Sequence, residues 1–551
     1  MSSTGNSRKA RYWGWGYEDI VYDRATTEHA LKALVQEFRL SDLPTKTTAI
    51  DIGQHAVPES KLQRDFIDRW SNKGLSVDKA QRVIHTVGKS YRDLVRIRAG
   101  KIDRYPDGVL FLQDERDLQF LFEDASLFGI TLIPFGGGSG VVGGTECVGP
   151  SDKPILVISL RKLNKLLSLD EISRTATFQP GILGPELEAA LHERGYTLGH
   201  FPQSFEFSTL GGWVATRSAG QNSTKYGRID KLVVSLKAQT PRGAMETRAV
   251  PASAAGPSLK EIWVGSEGIY GILTEITVKI APLPQTQRFV GAFFNDFGVG
   301  VHAVRKMIQA GLHPSILRLS DPTETALFRK MQPMSGWKEA AFSLWLRVKK
   351  AGSAPSLLLL TTEGNREESL RQESLIRESL QKNGAAVLSK GLSEKIGMKW
   401  LQNRFALPYL RDDFMDHSFF IDTLETAALW SGLERLHGRM GAGFQEREKK
   451  TGEKVTVGCH LSHAYADGAS LYFTLIAVQR KNEELRQWDE IKKLATDTIM
   501  ENGGTVSHHH GVGYDHRPWM KQEKTELGIQ VLRQIKSQLD PDRLLNPEKT
   551  I

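Results

Sequence analysis

Apolar runs and amphipathic stretches divide this chain into regions of different texture. Residues 1–95 are charged, and LKALVQEFRL (31–40) and ESKLQRDFIDRW (59–70) carry the spacing of amphipathic helices. From about residue 96, short apolar runs alternate with helices. GVLFLQ (108–113), TLIPF (131–135), ILVISL (155–160) and TATFQPG (175–181) read as strands. DERDLQFLFEDASLFG (114–129) and GPELEAALHERG (184–195) read as helices, each closed by a glycine. LVVSLKAQT (232–240), the turn Pro241-Arg242-Gly243 and METRAV (245–250) predict a hairpin, and ILTEITVKI (272–280) alternates like a half-buried strand.

APLPQT (281–286) marks a boundary. Beyond it, VGVHAVRKMIQAG (299–311) and EESLRQESLIRESLQKNG (367–384) predict helices, and SLYFTLIAVQ (470–479) a strand. The last 70 or so residues hold two helices, NEELRQWDEIKKLATDTIMENGG and TELGIQVLRQIKSQL, on either side of a histidine tract. The fold class is therefore α+β, in four parts: a helical region over 1–95, a domain over 96–286, an α/β domain over 287–480, and a C-terminal region over 481–551.

With 551 residues, 40% of them hydrophobic and 25% charged, the chain has the composition of a multidomain globular protein. Two cysteines, Cys147 and Cys459, argue against a disulfide framework. The first twenty residues lack an apolar secretory core, and no run reaches the length of a bilayer span. A net charge of +8 permits anionic cofactors, phosphorylated substrates or an acidic membrane surface, while no nucleic-acid motif is present.

Three glycine-bearing segments carry the candidate chemistry. Pro134-Phe135-Gly136-Gly137-Gly138-Ser139-Gly140 follows a strand, and its backbone N–H groups suit a pyrophosphate; it matches neither a Walker loop nor a Rossmann loop. Gln203-Ser204-Phe205-Glu206-Phe207-Ser208-Thr209 leads through Gly211-Gly212 to Thr216-Arg217-Ser218-Ala219, with Ser208 or Thr209 a candidate helix cap. Glu267-Gly268-Ile269-Tyr270-Gly271-Ile272-Leu273 enters a strand. Near the C-terminus stand His508-His509-His510-Gly511-Val512-Gly513, three adjacent imidazoles that each need partners and titrate near neutrality. An extended backbone would put His508 and His510 on one face and His509 on the other. His460 and His463, three apart, would share one face of a helix, so a metal site with His508 and His510 competes with an acid/base role. Read alone, Tyr472 is a core aromatic, and Arg411 beside Asp412 and Asp413 is a surface ion pair.

The order of the three glycine segments resembles flavoproteins of the vanillyl-alcohol-oxidase type. Within that group WGWGYED (13–19), FPQSFEFSTLGGWVATRSAGQNSTKYG, SILRLSD, YLRDDF, AYADGASLYF (464–473) and SHHHGVG resemble the alkyldihydroxyacetonephosphate synthase family, over nearly the whole chain. The resemblance implies an FAD-binding domain with an α/β cap domain. FAD contacts would fall on Pro134 to Gly140, Gln203 to Thr209, Thr216 to Ala219, and Glu267 to Leu273. Tyr472, His508, His509 and His510 would be catalytic, and Arg411 and Arg318 would bind substrate. With no histidine in the glycine loop, the FAD would be held non-covalently.

The implied reaction is ether-lipid synthesis: the acyl group of 1-acyl-dihydroxyacetone phosphate is exchanged for a long-chain fatty alcohol, through a flavin N5 adduct and without net redox. Tyr472 would be the acid/base, its pKa lowered by a cation such as Arg411. Tyr465 is a second candidate. Two other readings stay open: an FAD-dependent 2-hydroxy-acid dehydrogenase or oxidase, and a flavin- or lipid-binding protein without turnover. Dehydrogenases of this type carry Asp-Gly-Asn-x-His where this chain has Asp467-Gly468-Ala469-Ser470-Leu471-Tyr472, a departure that favours the synthase. The resemblance also implies a homodimer. No peroxisomal signal is seen, so the expectation is a cytoplasmic protein peripheral to a membrane, docked by its basic amphipathic N-terminal helices.

Overall fold

The computed structural model describes residues 8–331 and 336–551; the first seven residues of the N-terminal reading lie outside the described residues. The N-terminal region is less helical than its charge pattern predicts. Helix α1 (Arg24–Glu37) is capped by Asp23, and Arg64–Ser71 begins only in the second half of the predicted 59–70 helix. Between them the chain is mostly irregular, because it runs as a strap over other elements: the Thr47 N–H donates to the Asp416 carbonyl and the Ile50 N–H to that of Arg98.

Two sheets build the next region. Gly108–Phe111, Ile155–Ser159 and β1 (Thr131–Phe135) run parallel, with Leu75–Ser76 antiparallel at the edge. The antiparallel second sheet runs 166–170, 175–178, β2 (Ile272–Lys279), 233–240 and 243–246. Its predicted hairpin is present, with Thr240 opposite Gly243. Phe178, Leu210, Trp213 and Ile276 fill the core under this sheet.

The cap is a seven-stranded antiparallel sheet in the order 386–387, 286–294, 356–364, β3 (Ile316–Ser320), β5 (Val455–Ala464), β6 (Gly468–Val478), β4 (Phe419–Leu429). Helices behind it bury Val304, Ile376, Leu436 and Ile491 in one continuous core. Helices α2 (Pro322–Met331), α3 (Gly336–Val348) and α4 (Leu410–Asp416) border its open face, together with the helix Lys390–Asn403. After Glu484–Glu501 the chain crosses back through the histidine tract and ends in the helix Met520–Leu539 and a tail whose Leu545 bridges to Leu132. Among the described residues no helix is long and apolar enough to cross a membrane.

Candidate active site

The open face of the cap sheet and the glycine segments enclose a cavity of about 450 Å³. Strand pleat places the cap side chains. On β6, Tyr472, Thr474 and Ile476 alternate onto the cavity wall, and on β4 Ile421 and Thr423 do the same. His460 and His463 both line the cavity although they lie three apart on β5, not on the helix their spacing suggested. Their pairing explains it: His460 faces Tyr472 and His463 faces Ser470, with a register shift at Ser462 that restores the face.

The histidine tract is not extended. Three successive N–H groups turn onto one carboxylate: Glu425 accepts from His508 (2.5 Å), His509 (3.1 Å) and His510 (2.8 Å), and from the Ser507 hydroxyl (2.6 Å). Converging on one acceptor bends the backbone, so the alternation fails. His509 and His510 line the cavity, while His508 sits behind them with Nε2 2.6 Å from the Tyr465 hydroxyl. Two residues on, Glu267 accepts from Val512 (2.6 Å) and Gly513 (2.7 Å). Two buried carboxylates, one from each domain, thus hold the tract between them.

Burial dominates the protonation states. It drives the His509 imidazole down to about 3, and His508 and His510 also fall, so all three rings are neutral at pH 7. Burial opposes ionisation of Glu425, but the histidines and Ser507 hold its carboxyl well below the usual range. Burial pushes the Glu267 carboxyl up to about 7 against its two N–H donors. Tyr472 is also displaced upward, to about 12, by burial, with Thr423 and Arg318 working against the shift. This corrects the expectation of a hydroxyl acidified by Arg411: at neutral pH Tyr472 holds its proton. Its ring stacks on His460 (4.9 Å) and His509 (6.0 Å) and meets His510 edge-on (5.6 Å).

Arg411, on α4, is no surface ion pair. It is half-buried, and NH1 donates to the Lys89 carbonyl (2.8 Å) while the buried Nε and NH2 find no hydrogen-bond partner among the described residues. Its neighbour Asp412 instead binds Arg11 and the Trp15 N–H. Arg318 is paired with Glu324 (2.9 Å), which also meets His460 Nδ1 at 2.9 Å, so much of its charge is already matched. His460 therefore stands apart from the expected metal set. Ring nitrogens of His463, His508 and His509 do lie within 4.8 Å of one another, but His463 is already bonded to the Gly220 carbonyl and Ser470.

The glycine loop fits a dinucleotide. Pro134, Phe135, Gly136, Gly137, Gly138, Ser139 and Gly140 all line the cavity, and N–H groups from Gly136 to Gly140 find no protein acceptor among the described residues. A Cβ on Gly137 would lie 1.9 Å from the Phe207 carbonyl oxygen, so the close approach requires glycine. Gln203, Ser204, Ser208, Thr209, Thr216, Ser218, Ala219, Glu267, Gly268, Gly271, Ile272 and Leu273 complete this wall, with Thr209 capping the following helix.

Six of the cofactor candidates turn away from the cavity. Phe205 stacks on Trp213 and Phe405, Phe207 packs on Trp15, and Ile269 and Tyr270 are in the core. Arg217 binds Glu261 and the Val264 carbonyl. Glu206 also lies outside the lining; its carbonyl accepts from Tyr17. Contiguous segments include such residues because alternate side chains of a loop cannot all face one ligand.

Sequence reasoning missed Trp15 and Glu425. Trp15 lines the cavity beneath Arg411, whose guanidinium carbon lies 5.3 Å from the indole centroid. The signal for Glu425 is one of two acids, with Asp422, in the largely apolar strand FFIDTLETAAL. An apolar branch of the cavity, lined by Leu327, Phe328, Met331, Leu407, Phe414 and Ile421, runs beside α2 and α4.

Residues 106–248 match the family described as FAD binding domain, and 283–550 match FAD linked oxidases, C-terminal domain. The chain is 37% identical over 483 residues to an alkyldihydroxyacetonephosphate synthase of Dictyostelium discoideum, covering 87% of this chain and 78% of the relative. A solved alkyldihydroxyacetonephosphate synthase superposes with a TM-score of 0.83 at 31% identity, over 98% of this chain and 99% of the other. A solved p-cresol methylhydroxylase, 13% identical, shares the fold with a TM-score of 0.67 over 90% of this chain and 98% of its own.

Proposed function

This chain belongs to the alkyldihydroxyacetonephosphate synthase family, and we propose that its cavity exchanges the acyl group of 1-acyl-dihydroxyacetone phosphate for a long-chain alcohol. It is an FAD-dependent alkyl transferase of ether-lipid biosynthesis. The observation that carries the site reading is the meeting of Tyr472, His509, His510 and Arg411 in one cavity with the glycine loop.

Pro134 to Gly140, Ser208, Thr209, Ser218 and Gly268 would hold the FAD. When bound, the flavin supplies a nucleophilic nitrogen for covalent catalysis without net redox. Arg411 presents two unmatched N–H groups of a rigid fork to the substrate phosphate. Arg318, already matched by Glu324, props the wall that carries His460 and Tyr472. Tyr472 moves a proton at C1 of the dihydroxyacetone unit; protonated in the resting state, it acts first as an acid. His509 and His510, neutral beside the Glu425 carboxylate, accept the alcohol's proton. The branch past Phe328 and Phe414 takes the alkyl chain.

The membrane contact belongs to this reading as well. The N-terminal helices do not supply it, since α1 buries Ala30, Leu31 and Leu34, and Phe66 and Trp70 of the next helix are also buried. Helix α3 does: Trp337 (73% exposed), Leu344 (62%) and Val348 (70%) share one face, flanked by Lys338, Arg347, Lys349 and Lys350. It follows the cavity-lining α2 in the chain, which supports delivery of a lipid from an anionic surface to the apolar branch. Vesicle co-sedimentation tests the docking, and sedimentation velocity tests the homodimer suggested by the family. For the reaction, flavin-loaded protein given acyl-dihydroxyacetone phosphate and labelled hexadecanol should release one fatty acid per labelled ether. Fatty acid without ether would refute it.

A further inference from the structure

The exchange proposed above leaves one proton to dispose of. The alcohol O–H bond breaks, its oxygen forms the new bond to C1, and the acyl group departs with its ester oxygen as a carboxylate. One proton per turnover must leave a buried cavity. This inference rests on that reading.

His509 lines the cavity, and its Nε2 has no hydrogen-bond partner among the described residues. Its Nδ1 lies 2.9 Å from His508 Nδ1, and His508 Nε2 lies 2.6 Å from the Tyr465 hydroxyl. Tyr465 is half-buried at the turn between β5 and β6, next to exposed Ala466 and Asp467. The turn is fixed by the Tyr465 N–H on the Gly468 carbonyl (2.8 Å) and by the Trp430 indole on the Tyr465 carbonyl (3.0 Å). Arg228 holds the His508 carbonyl at 3.0 Å, and the Glu425 carboxylate stands 3.4 Å from His509 Nδ1, where it stabilises a passing imidazolium.

We propose that His508 and Tyr465 form a proton outlet from the cavity to solvent. His509 takes the alcohol's proton on Nε2 and passes its Nδ1 proton to His508 Nδ1. His508 passes its Nε2 proton to the Tyr465 oxygen, whose own proton goes to water; each ring resets its tautomer before the next turnover. The arrangement accounts for a third histidine that does not line the cavity. Tyr465 acts through His508, as a positioning and relay residue.

Tyr465→Phe keeps the ring and removes the relay. Ether formation by the flavin-loaded wild-type protein is measured first, in weak buffer; its failure would overturn the parent reading and the outlet with it. With an active wild type, Y465F should lose about tenfold in kcat, with a larger solvent deuterium effect and unchanged KM for both substrates. Added imidazole should restore part of the rate by collecting the proton from His508. A kcat within twofold of wild type, or a loss that imidazole does not relieve, would overturn the outlet.

Discussion

Glu425 and Tyr472 sit directly opposite each other on adjacent strands of the cap sheet. One side chain collects three backbone N–H groups of the histidine tract, and the other stacks against a ring of that tract. The sheet register therefore fixes the distance between the tyrosine and the histidines, although more than thirty residues separate them in sequence.

Glu425→Gln should disarm the site without emptying it. The amide nitrogen would oppose N–H groups that now meet a carboxylate, and the tract would lose its anion. Ether formation should fall by about 100-fold or more while the visible flavin spectrum persists. A variant that keeps the wild-type rate would show that Glu425 does not set the histidines.

Most strands and helices before residue 286 are legible in the chain, because local period and glycine stops decide them. Most cap strands are not: 419–429 and 455–464 lack strict alternation, since one face is core and the other a cavity that accepts Thr423, His460 and Ser462 equally. The histidine tract stands out in the chain by its residue types, but its geometry does not. Its conformation depends on Glu425 and Glu267, which lie 83 and 245 residues away from the N–H groups they bind. Bends imposed by such distant acceptors leave no periodic mark.

Arg411→Lys should weaken substrate binding selectively. An ammonium keeps the charge but not the two unmatched N–H groups of the fork. KM for acyl-dihydroxyacetone phosphate should rise by about 10- to 100-fold, with KM for the alcohol little changed. Steady-state kinetics with each substrate varied in turn decide it; equal rises in both would argue against a phosphate contact.

Gly137→Ala should purify without flavin. The added methyl would collide with the Phe207 carbonyl and push the loop out of its cradle. The ratio of visible flavin absorbance to protein reads the result directly, and full loading would show that the loop does not hold the cofactor.

Stability should fall on the acid side. Burial pushes His200, His463, His509 and His516 down to about 3, below the ~6.5 of an unfolded chain. The unfolded state then binds more protons between those values, so their contribution is complete above pH 6.5 and is lost progressively as pH falls toward 3. Melting temperatures across pH 5 to 8 should decline below 6.5; a flat profile would mean that these histidines are not buried neutral.

The most direct test withholds any electron acceptor. Under strict anaerobiosis, flavin-loaded protein with acyl-dihydroxyacetone phosphate and labelled hexadecanol should make many equivalents of labelled ether per flavin, because the exchange returns the flavin to its starting oxidation state. Turnover that stops after one equivalent, or flavin bleached by a 2-hydroxy acid such as lactate with no ether formed, would contradict the account.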